Sequence, residues 1–312
     1  MCPRPRHSII GSAGHAGRGW MTTEIEKKDV FGVLRQDAAL HMSDDEFRLL
    51  RNLVYEECGI WLKDEKKFFL QNRAFQRMKA LNLKSCYRYY KHIADPVAGK
   101  EELLSFLDAL TINETCFFRN RPQLDLFSSH VVSDIVARKR EKQDFNIKIW
   151  SAGCSTGQEP YTIGMILHEQ ILDLRQWKIT ILASDLSMTA LETAQRGVYP
   201  MEKLDGIEER LIERYFKKTP EGYGITDEIK RHIVFDFHNL MHEGGYKDFD
   251  AVFCRNVLIY FDDETQKKVI DKFRRALVPQ GYLVLGHAET LQGRNDNFVF
   301  IHKNKGTVYQ KK

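Results

Sequence analysis

The chain has 312 residues, of which 43% are hydrophobic and 29% charged, and a net charge of +4. That length gives room for two domains with their own cores, and the composition is ordinary for a water-soluble chain. The charge is too small to argue for nucleic acid, and no apolar run approaches the roughly 20 residues that cross a bilayer. Neither a nucleic-acid partner nor direct membrane insertion is expected.

The first twenty residues, "MCPRPRHSIIGSAGHAGRGW", are basic and glycine-rich and lack the apolar stretch of a secretory signal. They read as a tail, or as an extension upstream of a chain that begins at Met21; residues 1–42 together are expected to be a flexible tail. From residue 43 the pattern sharpens. Ser43 stands three residues before Glu46, a capping box, and Phe47, Leu50 and Val54 follow at helical spacing up to Gly59. Further helices are expected over about 64–81, 85–93 and 99–110, giving a small all-α domain over 43–110.

Residues 111–126 read as a linker, and the pattern beyond it changes. A helix near 121–140 leads to a strand, "NIKIW" (146–150), then a glycine loop and a helix to about Leu172. "KITILAS" (178–184) ends on Asp185, and Ser187 caps the next helix. "HIVFDF" (232–237), "FDAVFC" (249–254), a helix near 263–277 and "GYLVLG" (281–286) follow. Strands alternating with helices predict a doubly wound, mostly parallel α/β sheet. "NFVFIH" and "GTVYQ", split by "KNKG", predict an antiparallel hairpin at the C-terminal end of a domain spanning 127–312.

The glycine loop Gly153-Cys154-Ser155-Thr156-Gly157 is followed by Gln158 and Glu159, with none of the lysine that a phosphate-binding loop requires. An acid at this place repels phosphate but suits a cation. In doubly wound sheets the ligand lies over the carboxyl ends of the first strands, where Asp185 can take ribose hydroxyls. This points to S-adenosylmethionine (SAM), whose sulfonium and ammonium are positive. The six cysteines form no C-x-x-C pair, so no metal site is expected, and their scatter fits a reducing cytosol. Cys154 reads as a small residue beside the ligand, since nothing nearby supplies a nucleophile with a base.

Four stretches occur in order: "TINETCFFRN" (111–120), "SAGCSTGQEPYTIGM" (151–165), "ASDLSMTALETAQRGVYP" (183–200) and "FDAVFCRNVLIYFDDETQ" (249–266). Together they closely resemble the chemotaxis receptor glutamate O-methyltransferases, the CheR family, over about 43–312. The resemblance implies a SAM-dependent methyltransferase fold behind a small all-α domain. It implies SAM contacts at Asn113, Thr115, Arg119, Glu159, Asp185, Asn239, Leu240, Arg255 and Asn256, and an active-site tyrosine at Tyr260. A helix cap is the plainer alternative for Asn239, and a surface ion pair for Arg255. Arg119 serves either SAM or the orientation of the acceptor carboxylate. Gln158 replaces the acid usual in the family's "EEPY", with little consequence expected.

The reaction implied converts SAM to S-adenosylhomocysteine and esterifies glutamates of chemoreceptors in the cytoplasm. A glutamate has an ordinary pKa of about 4.3, so its side chain is already ionised and needs no general base. A methyltransferase of another acidic signalling protein, or a SAM-binding scaffold or sensor, are the competing readings. Partner recognition points to 62–91, where nine Lys and Arg face only Asp64 and Glu65. Arg73 and Arg77, four apart, share a helical face with Lys66. With Lys79 they are expected to meet the acidic methylation region of a receptor, as the family's helix does. Some family members dock a receptor's C-terminal peptide on a β-subdomain, expected here at about 214–237. The stretch looks shorter than theirs, with a tight turn Thr219-Pro220-Glu221-Gly222, so no C-terminal tether is expected.

Overall fold

A computed structural model describes residues 41–291 and 297–312. The expected tail lies outside these residues except at its end, where Met42 is fully buried in the helical core and its N–H donates to Gln71 at 3.2 Å. Met42 therefore belongs to the helical domain, because its side chain has a place in that packing.

Helix α1 (Asp44–Cys58) starts on the Ser43–Glu46 capping box and ends at Gly59, whose φ of 73° is left-handed. A single 3-10 turn (Asp64–Lys66) precedes α2 (Lys67–Ala80). Helices α3 (Cys86–Ile93) and α4 (Lys100–Leu110) complete the all-α unit. Their apolar faces share one core containing Leu50, Val54, Leu70, Tyr89 and Phe106.

Helix α5 (Arg121–Leu126) runs through a π-helical stretch (Phe127–Val132) into α6 (Ser133–Glu141). The boundary expected at 126 thus falls inside one helical run. Leu124, Leu126 and Phe127 pack with the sheet's core, so residues 121–126 belong to the larger domain.

The large sheet contains β1 (Asn146–Ala152), β2 (Lys178–Asp185), β6 (Ile233–Phe237), β7 (Phe249–Cys254), β8 (Leu277–Leu285), β9 (Phe298–Lys303) and β10 (Gly306–Lys311). Their order is β6-β2-β1-β7-β8-β10-β9. The first five pair in parallel and the last two antiparallel. Helices α7 (Gln158–Gln170), α8 (Met188–Arg196) and α11 (Asp263–Ala276) connect the strands and cover the faces. Strand β7 is buried at every position, which explains its apolar run; its one charged residue, Asp250, accepts from the Lys148 N–H at 2.9 Å and pairs with Lys139 at 3.1 Å.

Strands β3 (Val198–Tyr199), β4 (Phe216–Thr219) and β5 (Gly222–Ile225) form a separate three-stranded sheet, ordered β3-β5-β4. Helix α9 (Glu209–Tyr215) lies between β3 and β4, and α10 (Asp227–Lys230) follows β5. This corrects the expected subdomain at 214–237. Val198–Tyr199 joins it from upstream, whereas Ile233–Phe237 pairs in parallel with β2 in the large sheet.

Candidate active site

A cavity of about 520 Å3 lies at the carboxyl ends of β1, β2 and β7, walled on its other side by the helical domain and the segment after it. The first loop makes room for it. Gly153 and Gly157 have φ of 82° and 92°, and a Cβ on Gly153 would stand 2.4 Å from Val257. Ser155 and Asn256 are also left-handed, at 50° and 62°, a conformation that costs a residue other than glycine about 1–2 kcal/mol and marks both loops as tightly held.

Every residue assigned to the cofactor lines this cavity, as do Tyr260 and Lys66. Arg73, Arg77 and Lys79 do not. The inner end is the more buried: Asp185 is 9% exposed, and its oxygens accept from the backbone N–H groups of Ser155 (2.7 Å) and Ser187 (2.9 Å). Burial is the largest influence on this carboxyl and raises its pKa against those two bonds. No cation among the described residues pairs with it. Glu159 accepts from the Ser151 hydroxyl at 2.8 Å and pairs with Arg255 at 3.1 Å. A buried carboxylate without a cationic partner fits the positive charge and ribose hydroxyls of SAM.

Arg255 is therefore not in a surface pair. Its guanidinium also donates to Gln123 (2.8 Å) and to the Arg119 carbonyl. Gln123 escaped the sequence reading because the partners that tie it to the site, Arg255, Leu285 and Thr307, are remote in sequence. Asn239 does cap a turn, accepting from Met241 N–H at 2.9 Å, but also donates to the Glu57 carbonyl of α1 at 2.6 Å. Asn113 bonds Thr111, Ser155 and Ser187, tying the inter-domain segment to the first two loops. Gln158 is buried, accepts from the Thr156 hydroxyl at 2.8 Å and stays outside the cavity wall. Burial, with the Asp185 and Glu159 charges next, pushes the Cys154 thiol well above its ordinary pKa, so Cys154 is no nucleophile.

The outer end is more open and combines apolar with basic groups. Trp61, Ile112 and Ile259 are about half exposed there, beside Lys63 and Lys66. The Trp61 N–H donates to the Tyr260 carbonyl at 2.8 Å, and Ile60 bridges Phe261, so the helical domain is stitched to the loop bearing Tyr260. Glu289 accepts from the N–H groups of Asn256 (2.8 Å), Gly286 (2.6 Å) and Ile259 (3.3 Å), holding that loop from the other side. Its one sequence signal was a carboxylate three residues after a glycine that ends a strand. Among the basic residues, Arg77 is committed internally: its Nε and Nη2 donate to Glu102 at 2.9 and 2.6 Å, and Tyr89 donates to the same carboxylate. This removes Arg77 from the expected recognition set. Lys66, Arg73 and Lys79 have no carboxylate partner among the described residues.

A mostly parallel sheet of this order, closed by an antiparallel pair, with an acid ending β2 and an acid opening α7 over a cavity of this size, defines a SAM-dependent methyltransferase. Residues 113–307 match the family described as "CheR methyltransferase, SAM binding domain", and residues 45–111 match "CheR methyltransferase, all-alpha domain". The chain belongs to the CheR methyltransferase family, and its cofactor is SAM. It is 32% identical over 266 residues to a chemotaxis protein methyltransferase of Borreliella burgdorferi, covering 84% of this chain and 93% of that one. It is 34% identical over 285 residues to one of Vibrio parahaemolyticus, covering 88% and 99%. For one of Escherichia coli the identity is 33% over 276 residues, covering 86% and 92%.

Proposed function

We propose that this protein transfers methyl from SAM to glutamate side chains of membrane chemoreceptors, from the cytoplasm, leaving a glutamate methyl ester and S-adenosylhomocysteine. One observation carries the choice of acceptor. At the open end of the cavity, Lys66, Arg119 and Tyr260, from three separate segments, line one wall system and suit an incoming carboxylate. The names of the relatives supply the chemotactic setting.

When bound, the cofactor supplies a methyl group on a positive sulfur, which keeps the electron pair of the broken bond. The glutamate carboxylate brings its own electron pair and has no proton to lose. The residues therefore have alignment to do, which in favourable cases is worth about 7–11 kcal/mol. Arg119 spends one nitrogen on the Glu114 carbonyl at 3.1 Å. Its charge acts on the Tyr260 hydroxyl, lowering a pKa that burial raises, and the two groups are our candidates for orienting the acceptor.

The receptor's acidic methylation region meets α2 and its approach through Lys66, Arg73 and Lys79, without a C-terminal peptide tether. The short strands β4 and β5, joined through Pro220 and Glu221, support the last point. Strand addition needs a free edge of useful length. Labelled methyl transfer to receptor-containing membranes tests the reaction. Label released by mild base, as from an ester, is the expected result; base-stable label or none removes this function.

A further inference from the structure

The segment between β6 and β7 forms part of the cavity wall through His238, Asn239 and Leu240, yet it contains neither helix nor strand. Its carbonyls consequently need partners from elsewhere. One clamp comes from the helical domain, where the Glu57 carbonyl accepts from Asn239 at 2.6 Å. The other comes from α11. The Lys272 ammonium donates to the carbonyls of Leu240 (2.9 Å), Met241 (2.6 Å) and His242 (3.1 Å). An ammonium has three donors, and three consecutive carbonyls take them. No carboxylate among the described residues pairs with Lys272, and Lys272 does not itself line the cavity. Its side-chain hydrogen bonds all go to the backbone that does, or to that of the residues directly after it.

We infer that Lys272 is a positioning residue for the cofactor: by gathering these three carbonyls it sets the path of the backbone at Asn239 and Leu240, and so the shape of that wall. A neutral side chain of the same length leaves the carbonyls to water and frees the segment to move. The energetic effect falls on SAM binding, since nothing in this chain of contacts reaches Arg119 or Tyr260. The inference rests on SAM as the occupant and is independent of the acceptor, so a SAM-binding measurement decides it even if glutamate methylation fails.

The test uses the full chain with Lys272→Met, which keeps the aliphatic stem and removes the donors, and Lys272→Arg, which restores a charged donor. The Met variant is expected to weaken SAM binding by calorimetry about tenfold, the scale of losing hydrogen bonds to a charged group. KM for SAM should rise in parallel while kcat at saturating SAM stays within about twofold, and the Arg variant should recover most of the loss. A role confined to stability predicts the reverse, a lower melting temperature without cofactor and unchanged SAM affinity. That result, or unchanged values throughout, overturns the inference. If the Met variant does not fold, Lys272→Gln is read in the same way: weaker SAM binding supports the role and wild-type affinity refutes it.

Discussion

Arg255 and Glu159 form an ion pair at 3.1 Å with side chains only 3% and 13% exposed, joining the end of β7 to the start of α7. Each partner is satisfied on its other side as well, Arg255 by Gln123 and the Arg119 carbonyl, Glu159 by Ser151. Removing one member leaves a buried charge without its counterpart, which costs about 3 kcal/mol or more. Glu159→Gln should therefore lower the urea midpoint of the cofactor-free protein. Arg255→Lys should do so too, because an ammonium cannot reproduce the guanidinium's fork. Unchanged midpoints would assign the pair no structural role.

Asp185 is expected to govern SAM affinity. Asp185→Ala should weaken SAM binding at least tenfold, on the order of 1–2 kcal/mol for a hydrogen bond to a charged group, with the fold intact. Burial raises this carboxyl's pKa, so protons compete with a cationic ligand at a higher pH than at an ordinary aspartate. SAM affinity should fall as the solution is acidified, and Asp185→Asn should flatten that dependence. Without cofactor, this group's contribution to stability is present below the ordinary carboxylate pKa and is lost as pH rises through the raised value. Calorimetry across pH checks the first expectation, and identical profiles for wild type and Asn variant would contradict it.

His168 is expected to make the fold acid-sensitive. Its side chain is fully buried at the end of α7, with Glu228 at 3.3 Å and the His232 ring centroid 5.0 Å away. Burial first, then His232, lowers its pKa to about 4. Between about pH 6.5 and 4 the unfolded chain takes up a proton that the folded chain refuses, so stability falls with acid through this window. The shift corresponds to up to about 3 kcal/mol. His168→Leu should remove much of the slope in melting temperature between pH 7 and 4.5. A variant with the wild-type slope would place the acid sensitivity elsewhere.

The basic helix divides in two. Arg73→Glu with Lys79→Glu should reduce receptor methylation strongly while leaving SAM affinity near wild type, since neither residue touches the cavity. The activity should also fall with salt, because exposed charges are screened within about 8 Å at physiological ionic strength. Arg77→Ala should instead destabilise the helical domain, leaving the buried Glu102 without its bidentate partner. Full receptor methylation by the double variant would return α2 to an ordinary solvated face. Titration with receptor C-terminal peptides should show no binding; micromolar binding at the β3–β5 sheet would establish a tether.

Local signals carried the secondary structure and much of the cavity. The Ser43–Glu46 box and Gly59 bound α1, and the buried run "FDAVFC" is β7 residue for residue. Capping and strand burial are written within a few neighbouring positions, so they survive without knowledge of the rest of the chain. The motifs likewise named side chains that the fold brings to one cavity from segments far apart. Ile233–Phe237 was counted both with the large sheet and with the small subdomain, because a five-residue strand does not record which sheet it will join.

The sequence by itself determined a helical domain ahead of a doubly wound sheet, through periodicity and caps, and the methyltransferase reading through a family resemblance carried by contiguous motifs. Only the tertiary structure decided how its charges are spent. Periodicity places Arg77 and Lys66 on one helical face, yet Arg77 is consumed by Glu102 on α4, and Lys66, in the 3-10 turn ahead of α2, opens onto the cavity. Gln123, Glu289 and Lys272 likewise acquire their roles from backbone groups that packing brings to them. A polar side chain's partner depends on which surfaces meet, and that is a property of the whole fold, not of its neighbours in sequence.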